Sequence, residues 1–119
     1  MSRILVVDDE PDLRFILRRM FEKAGHEVAE AGNGAAALEC VGRSLPELVV
    51  TDMMMPVMDG RELIRRLRAD PATAQIPILA VTGNGELADA ADALLPKFCQ
   101  TDQILAAANT LLASEGDGT

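Results

Sequence analysis

At 119 residues, 49% of them hydrophobic, the chain is long enough for one compact domain with a single core. Its formal net charge of −8 repels phosphate backbones, and with three Phe and no Tyr or Trp it lacks base-stacking platforms, so direct nucleic-acid binding is excluded. One His, two Cys without metal spacing and no run near ~18 apolar residues exclude a zinc site, His-based catalysis and a membrane-spanning helix.

The opening MSRILVVDDEP has no signal-peptide anatomy, because its apolar stretch runs straight into acids. A cytoplasmic protein with no membrane insertion is expected, with Cys40 and Cys99 as buried thiols rather than a disulfide. The run Ile4–Val7 predicts a strand buried on both faces, ending in Asp8-Asp9-Glu10. Pro11 suits the first turn of a helix, and Leu13, Ile16, Leu17, Met20, Phe21 and Ala24 repeat at threes and fours up to Gly25. His26–Ala31 alternates, as an edge strand does. Asn33-Gly34 opens a second helix with Ala37, Leu38 and Val41 inward.

Leu48–Val50 predicts a third strand, and Asp52 follows it. The methionines at 53, 54, 55 and 58 are expected as pliable packing. From about Gly60 a third helix turns Leu63, Ile64 and Leu67 inward and Arg61, Arg65, Arg66 and Arg68 outward. Ile76–Val81 is the fourth buried run, ending at Thr82, and Leu94-Leu95 is a short fifth, followed by Lys97. Asp102 is expected to cap a last helix carrying Ile104, Leu105, Ala108, Leu111 and Leu112 on one face. A domain over 1–114 and a flexible tail over 115–119 complete the division. Strict alternation of strand and helix argues an α/β doubly wound sheet with helices on both faces.

In such sheets ligands bind beyond the carboxyl ends of the strands. Asp8-Asp9, Asp52, Thr82 and Lys97 all fall at such ends. Clustered carboxylates repel, and a hard divalent cation removes that cost; Mg²⁺ suits a few carboxylate or carbonyl oxygens, water and a phosphate oxygen. Counting Asp8, Asp9, Asp52, Lys97 and one such cation leaves a neutral site, poised for an anion such as phosphate. Asp52 then has the chemistry of a nucleophile at phosphorus. Taken singly, each residue also has a plainer role: Asp52 in a turn, Asp8-Asp9 in a solvated loop, Thr82 before Gly83 in a turn, Lys97 at the surface.

The stretches ILVVDDEPDLR, VVTDMMMPVMDG and PILAVTG together resemble the receiver domain of two-component response regulators over nearly the whole chain. That resemblance implies a five-stranded parallel sheet of flavodoxin-like order 2-1-3-4-5. It makes Asp52 the phosphoacceptor, with Mg²⁺ held by Asp9, Asp52 and the backbone carbonyl of Met54, and by Asp8 mainly through water. Thr82 and Lys97 would contact the phosphoryl group. The implied protein is a stand-alone, single-domain switch or phosphorelay member. A sensor histidine kinase or histidine phosphotransfer protein would supply its phosphoryl group, and a downstream protein would be its target.

Three features depart from the family. Lys97 is followed by Phe98 where the family usually has Pro, Leu94 stands where a switch aromatic is usual, and only fourteen residues separate Thr82 from Lys97. A cis bond to Phe98 would cost ~2.5–4 kcal/mol, against trans. The short span predicts a shortened or missing fourth helix. An aspartyl phosphohydrolase would want a second acid where Met54 stands, so an enzyme is not expected. A degenerate receiver that binds partners without phosphorylation is the alternative. If the fourth crossover is stunted, amide exchange will be fast from Gly85 to Ala93, and protection equal to that of the other helices would contradict it.

Overall fold

The computed structural model describes residues 2–83, 90–97 and 99–117. Strands β1 (Arg3–Val7), β2 (Glu27–Ala31), β3 (Leu48–Thr51), β4 (Ile78–Thr82) and β5 (Ala93–Pro96) alternate with helices α1 (Pro11–Lys23), α2 (Gly34–Arg43) and α3 (Gly60–Ala69), and α4 (Thr101–Asp117) closes the chain. The five strands form one sheet in the order β2-β1-β3-β4-β5, every pair parallel. This is the doubly wound arrangement and strand order expected.

The strand period of two divides the core into two layers. Leu5, Val7, Val49, Ile78 and Ala80 meet Ala37 and Val41 of α2 and Leu63, Ile64 and Leu67 of α3 on one face. Ile4, Val6, Leu48, Val50, Leu79 and Val81 meet Leu17 and Phe21 of α1 and Ile104 and Ala108 of α4 on the other. The three central strands therefore bury nearly every side chain, which is why they appear as unbroken apolar runs. At the edges, β2 stays partly open and β5 alternates between half-buried and exposed.

Local signals set the helix ends. The Asn33 side chain accepts from Ala36 N at 2.9 Å and the Asp59 side chain from Glu62 N at 2.9 Å, each satisfying a first-turn donor. Asp102 does not cap α4. The helix starts at Thr101, two residues before the start such a cap would set, and Gln103 Oε1 reaches back to accept from Gln100 N at 3.0 Å, which moves the cap upstream and leaves Asp102 in the first turn. The fourth strand begins at Ile78 rather than Ile76; Pro77 has no N–H to donate, and its carbonyl accepts from Val49 N at 3.1 Å. The helical backbone of α4 continues through residues 115–117, where the tail was expected to begin.

Between β4 and β5, the described residues Gly83 and Ala90–Asp92 are not helical. The rest of the expected shortened helix, at 84–89, lies outside the described residues, as does the Lys97–Phe98 bond with Phe98. The returning end of this crossover is fastened: the Arg68 guanidinium donates to Ala74 O, Ile76 O and Asp92 Oδ2. Asp92 Oδ2 also accepts from Ile78 N at 2.7 Å, tying α3, the start of β4 and the entry to β5 together. Both cysteines are free and half-buried rather than buried, because α2 and the β5–α4 connection lie toward the margins of the sheet.

Gly60 meets the tightest backbone approach. A Cβ there would come within 2.2 Å of Asp52 O and 2.8 Å of Met53 Cα, while Gly60 N donates to Met53 O at 3.0 Å. Gly60→Ala is expected to lower stability by about 3 kcal/mol or to prevent folding. Gly42→Ala, on open helix surface with nothing within 4 Å, should instead gain ~0.5–1 kcal/mol. Urea denaturation of the two variants checks both signs.

Candidate functional site

All five strands run the same way, so their carboxyl ends share one rim of the sheet. Register carries the candidate residues to that rim side by side, with Val7 opposite Thr51 and Thr82 opposite Pro96. Backbone bonds extend the ladder into the site: Asp8 N donates to Ala31 O at 3.1 Å, Asp52 N to Val7 O at 3.0 Å and Lys97 N to Thr82 O at 3.2 Å. Asp8, Asp52 and Lys97 are thus positioned by the sheet itself, not by free loops.

Asp8, Asp52 and Thr82 are buried, while Asp9 and Glu10 are exposed. Asp52 Oδ1 accepts from Met53 N at 2.7 Å, and Oδ2 accepts from Lys97 Nζ at 2.8 Å. Asp8 Oδ1 accepts from Glu10 N at 2.9 Å, and its carbonyl accepts from Arg14 Nη1 at 2.7 Å. Lys97 Nζ also pairs with Glu10 Oε1. One carboxylate oxygen from each of Asp8, Asp9, Glu10 and Asp52 lies within 4.8 Å of the others. Above them is an open cleft of about 400 Å³ lined by Asp9, Glu10, Asp52, Met54, Thr82, Gly83 and Lys97.

Two electrostatic consequences follow. Burial pushes the Asp8 carboxyl up from its ordinary 3.8 to about 6; the backbone bond from Glu10 and the charge on Lys97 oppose this only in part. For Lys97, burial works against the charged form, but hydrogen bonds to Asp52 and Glu10 overcome it and raise its pKa. The ammonium thus stays charged at neutral pH, one cation facing four carboxylates. This excess of hard oxygen donors within reach of one point fits a divalent cation of the Mg²⁺ type.

The structure brings together Asp8, Asp9, Asp52, Thr82 and Lys97, and Met54 lines the same cleft. Met54 departs from the packing role expected of the methionines: it is 59% exposed, while Met53 is fully buried beneath it. Sequence reasoning assigned no role to Glu10, although it stands in the Asp-Asp-Glu run; its pairing with Lys97 depends on the ends of β1 and β5 meeting at one rim of the assembled sheet.

A family model described as the response regulator receiver domain matches residues 4–108. Protein PilH of Pseudomonas aeruginosa is 37% identical over 89 residues, covering 75% of this chain and 74% of its own length. Sporulation initiation phosphotransferase F of Bacillus subtilis is 38% identical over 86 residues, covering 72% of this chain and 68% of its own length. Two longer relatives match over only 26% and 49% of their length. Among solved structures, response regulator protein TrrA of Thermotoga maritima in complex with Mg²⁺-BeF superposes with a TM-score of 0.84 at 30% identity, covering 93% of this chain and 99% of that one.

The raised pKa of Asp8 makes one contribution to the pH dependence of metal-free stability, opposite in sign to those of Glu30 and Glu62, whose carboxyls are held low by arginines. Between about pH 4 and 6 the folded chain holds a proton on Asp8 that the unfolded chain has lost, so this group's contribution to stability falls as pH rises through that window and is flat above it. Asp8→Asn should abolish that slope and stabilise the metal-free protein at neutral pH by on the order of 2 kcal/mol. Chemical denaturation at several pH values in the presence of a chelator measures it.

Proposed function

The chain belongs to the response regulator receiver domain family, and from that premise we propose that it is a phosphorylatable switch whose acceptor is Asp52. The observation that carries this reading is the buried Asp52 carboxylate, held at 2.8 Å from Lys97 Nζ beside three further carboxylates. Its phosphoryl donor would be a sensor histidine kinase or a histidine phosphotransfer protein in the cytoplasm. Its output would be a change in binding to a downstream protein, or onward transfer in a relay. The relative named a phosphotransferase and the structural neighbour bound to Mg²⁺-BeF support this class of chemistry.

In the proposed reaction a carboxylate oxygen of Asp52 forms a bond to phosphorus as the bond from phosphorus to the donor imidazole nitrogen breaks. The electron pair stays on the imidazole, and an acyl phosphate remains on Asp52. Asp9, Asp52 and the Met54 carbonyl would hold Mg²⁺ directly, with Asp8 acting mainly through water. The cation, when bound, supplies positive charge against the carboxylates and the transferring oxygens. Met53 N, donating to Asp52 Oδ1, keeps the carboxylate aimed. Lys97 would leave Asp52 Oδ2 for the arriving phosphoryl oxygens, and the Thr82 hydroxyl would donate to the same group.

No substrate-specific acid or base beyond these groups is needed, so the chain would be an acceptor that promotes its own phosphorylation and dephosphorylation rather than an enzyme with a separate substrate. A phosphorylation-independent binding module is the second reading. Leu94, at the place where the family's switch aromatic would stand, is an aliphatic side chain 46% exposed, which favours it.

Incubation with Mg²⁺ and acetyl phosphate, followed by intact mass measurement, separates these readings. The phosphoacceptor reading expects one metal-dependent phosphate adduct that Asp52→Asn abolishes. Unmodified wild-type protein across donor and metal concentrations overturns it in favour of the binding module.

A further inference from the structure

Glu10 is the acid of the cluster left without a part in the chemistry above. It stands at the N-cap of α1 with extended backbone, φ −91° and ψ 110°, yet its side chain makes no capping bond. Its main chain is nonetheless fixed, since Glu10 N donates to Asp8 Oδ1 at 2.9 Å. From that anchored position its carboxylate crosses the cleft to Lys97 Nζ.

The Lys97 side chain is only 16% exposed and its ammonium lies between two acceptors, Asp52 Oδ2 on the inner side and Glu10 Oε1 on the outer. A lysine stem has four rotatable carbon bonds, and a single partner leaves much of that freedom in place. Two carboxylates on opposite sides confine the ammonium to one point. The Lys97 backbone is fixed separately, its N donating to Thr82 O at 3.2 Å, so what the two carboxylates restrain is the side chain.

We propose that Glu10 is a positioning residue: its carboxylate holds the Lys97 ammonium at the mouth of the cleft, so that an arriving phosphoryl group meets a localised positive charge. The proposal rests on the phosphoacceptor reading for its effect on rate, but the restraint itself exists without any phosphoryl group. Glu10 is 57% exposed on its side chain, so its substitution leaves the core untouched. It acts through Lys97, not on the reacting atoms.

Two measurements test this on wild type, Glu10→Gln, Lys97→Met and the double variant. Methylene ¹³C relaxation at Lys97 Cε in metal-free protein should show a restricted side chain in wild type and a freely reorienting one in Glu10→Gln; equal mobility in the two overturns the proposal. Adduct formation with Mg²⁺ and acetyl phosphate should slow about three- to fivefold in Glu10→Gln, the range of a partly exposed ion pair. Glu10→Asp, which keeps the charge, should recover part of that loss. In the Lys97→Met background Glu10→Gln should have no further effect. An equal slowing in that background means that Glu10 acts on the metal or donor directly and also overturns the proposal. Absence of any adduct in wild type overturns the phosphoacceptor reading instead, while the relaxation data still decide the restraint.

Discussion

Crowding of like charge at one rim is the constraint on which the rest of this molecule depends. A parallel sheet sends every strand end to the same edge, and this chain places acids at two adjacent ends, β1 and β3. At 4 Å, two unit charges repel by about 4 kcal/mol where the effective dielectric is near 20, so an unrelieved cluster opposes folding. Relief within the chain comes from one ammonium, delivered by β5 from the far side of β4. The sheet order is therefore electrostatic as well as topological: moving β5 elsewhere would take the Lys97 ammonium away from Asp52.

Rigidity below the rim makes that arrangement specific. Asp52 follows a strand with no exposed side chain, Met53 is fully buried under it, and the glycine at 60 lets the start of α3 close against the Asp52 carbonyl. Thr51 Oγ1 also donates to Asp52 O at 2.7 Å. The carboxylate is thus held by backbone and packing from below, and only its upper side addresses the cleft. As the acceptor proposed above, a carboxylate positioned this way would lose little freedom on the arrival of a donor, which is the entropic part of catalysis by orientation.

Much of this was legible in the residues because the relevant periods are short. Ile4–Val7 and Leu48–Val50 declared themselves as buried strands through uninterrupted apolar runs, and the acids that follow marked the rim. The helix starts at Asn33-Gly34 and about Gly60 were legible as local signals, although the Asp59 side chain that caps the second of them was not singled out. Other features were not legible, because they depend on partners distant in sequence. The Arg68–Asp92 bond spans 24 positions, and Glu10 meets Lys97 only after the whole sheet has assembled. The start of α4 was misplaced for a subtler reason. Asp102 is a better cap than Gln100 by composition, but a side-chain bond from Gln103 outweighs that preference.

The loop between β3 and α3 holds backbone strain beside the proposed site. Val57 adopts φ 67°, a left-handed conformation that a β-branched residue enters at a cost of about 1–3 kcal/mol, and its side chain is 85% exposed, so no burial of its own offsets that cost. The surrounding bonds hold it there instead: Met58 N donates to Pro56 O at 2.7 Å, Gly34 N donates to Met58 O at 2.9 Å, and the glycine at 34 leaves room for Met58, whose carbonyl and Cγ a Cβ would approach to 2.8 Å. The loop carrying Met54 beside the acids is therefore clamped from the N-terminus of α2, a helix that does not itself line the cleft. A backbone bent in this way keeps the Met54 segment folded over the rim rather than extended into solvent. Its strain is small enough for these two hydrogen bonds and the fit of Met58 against Gly34 to overcome, and it is confined to an exposed residue.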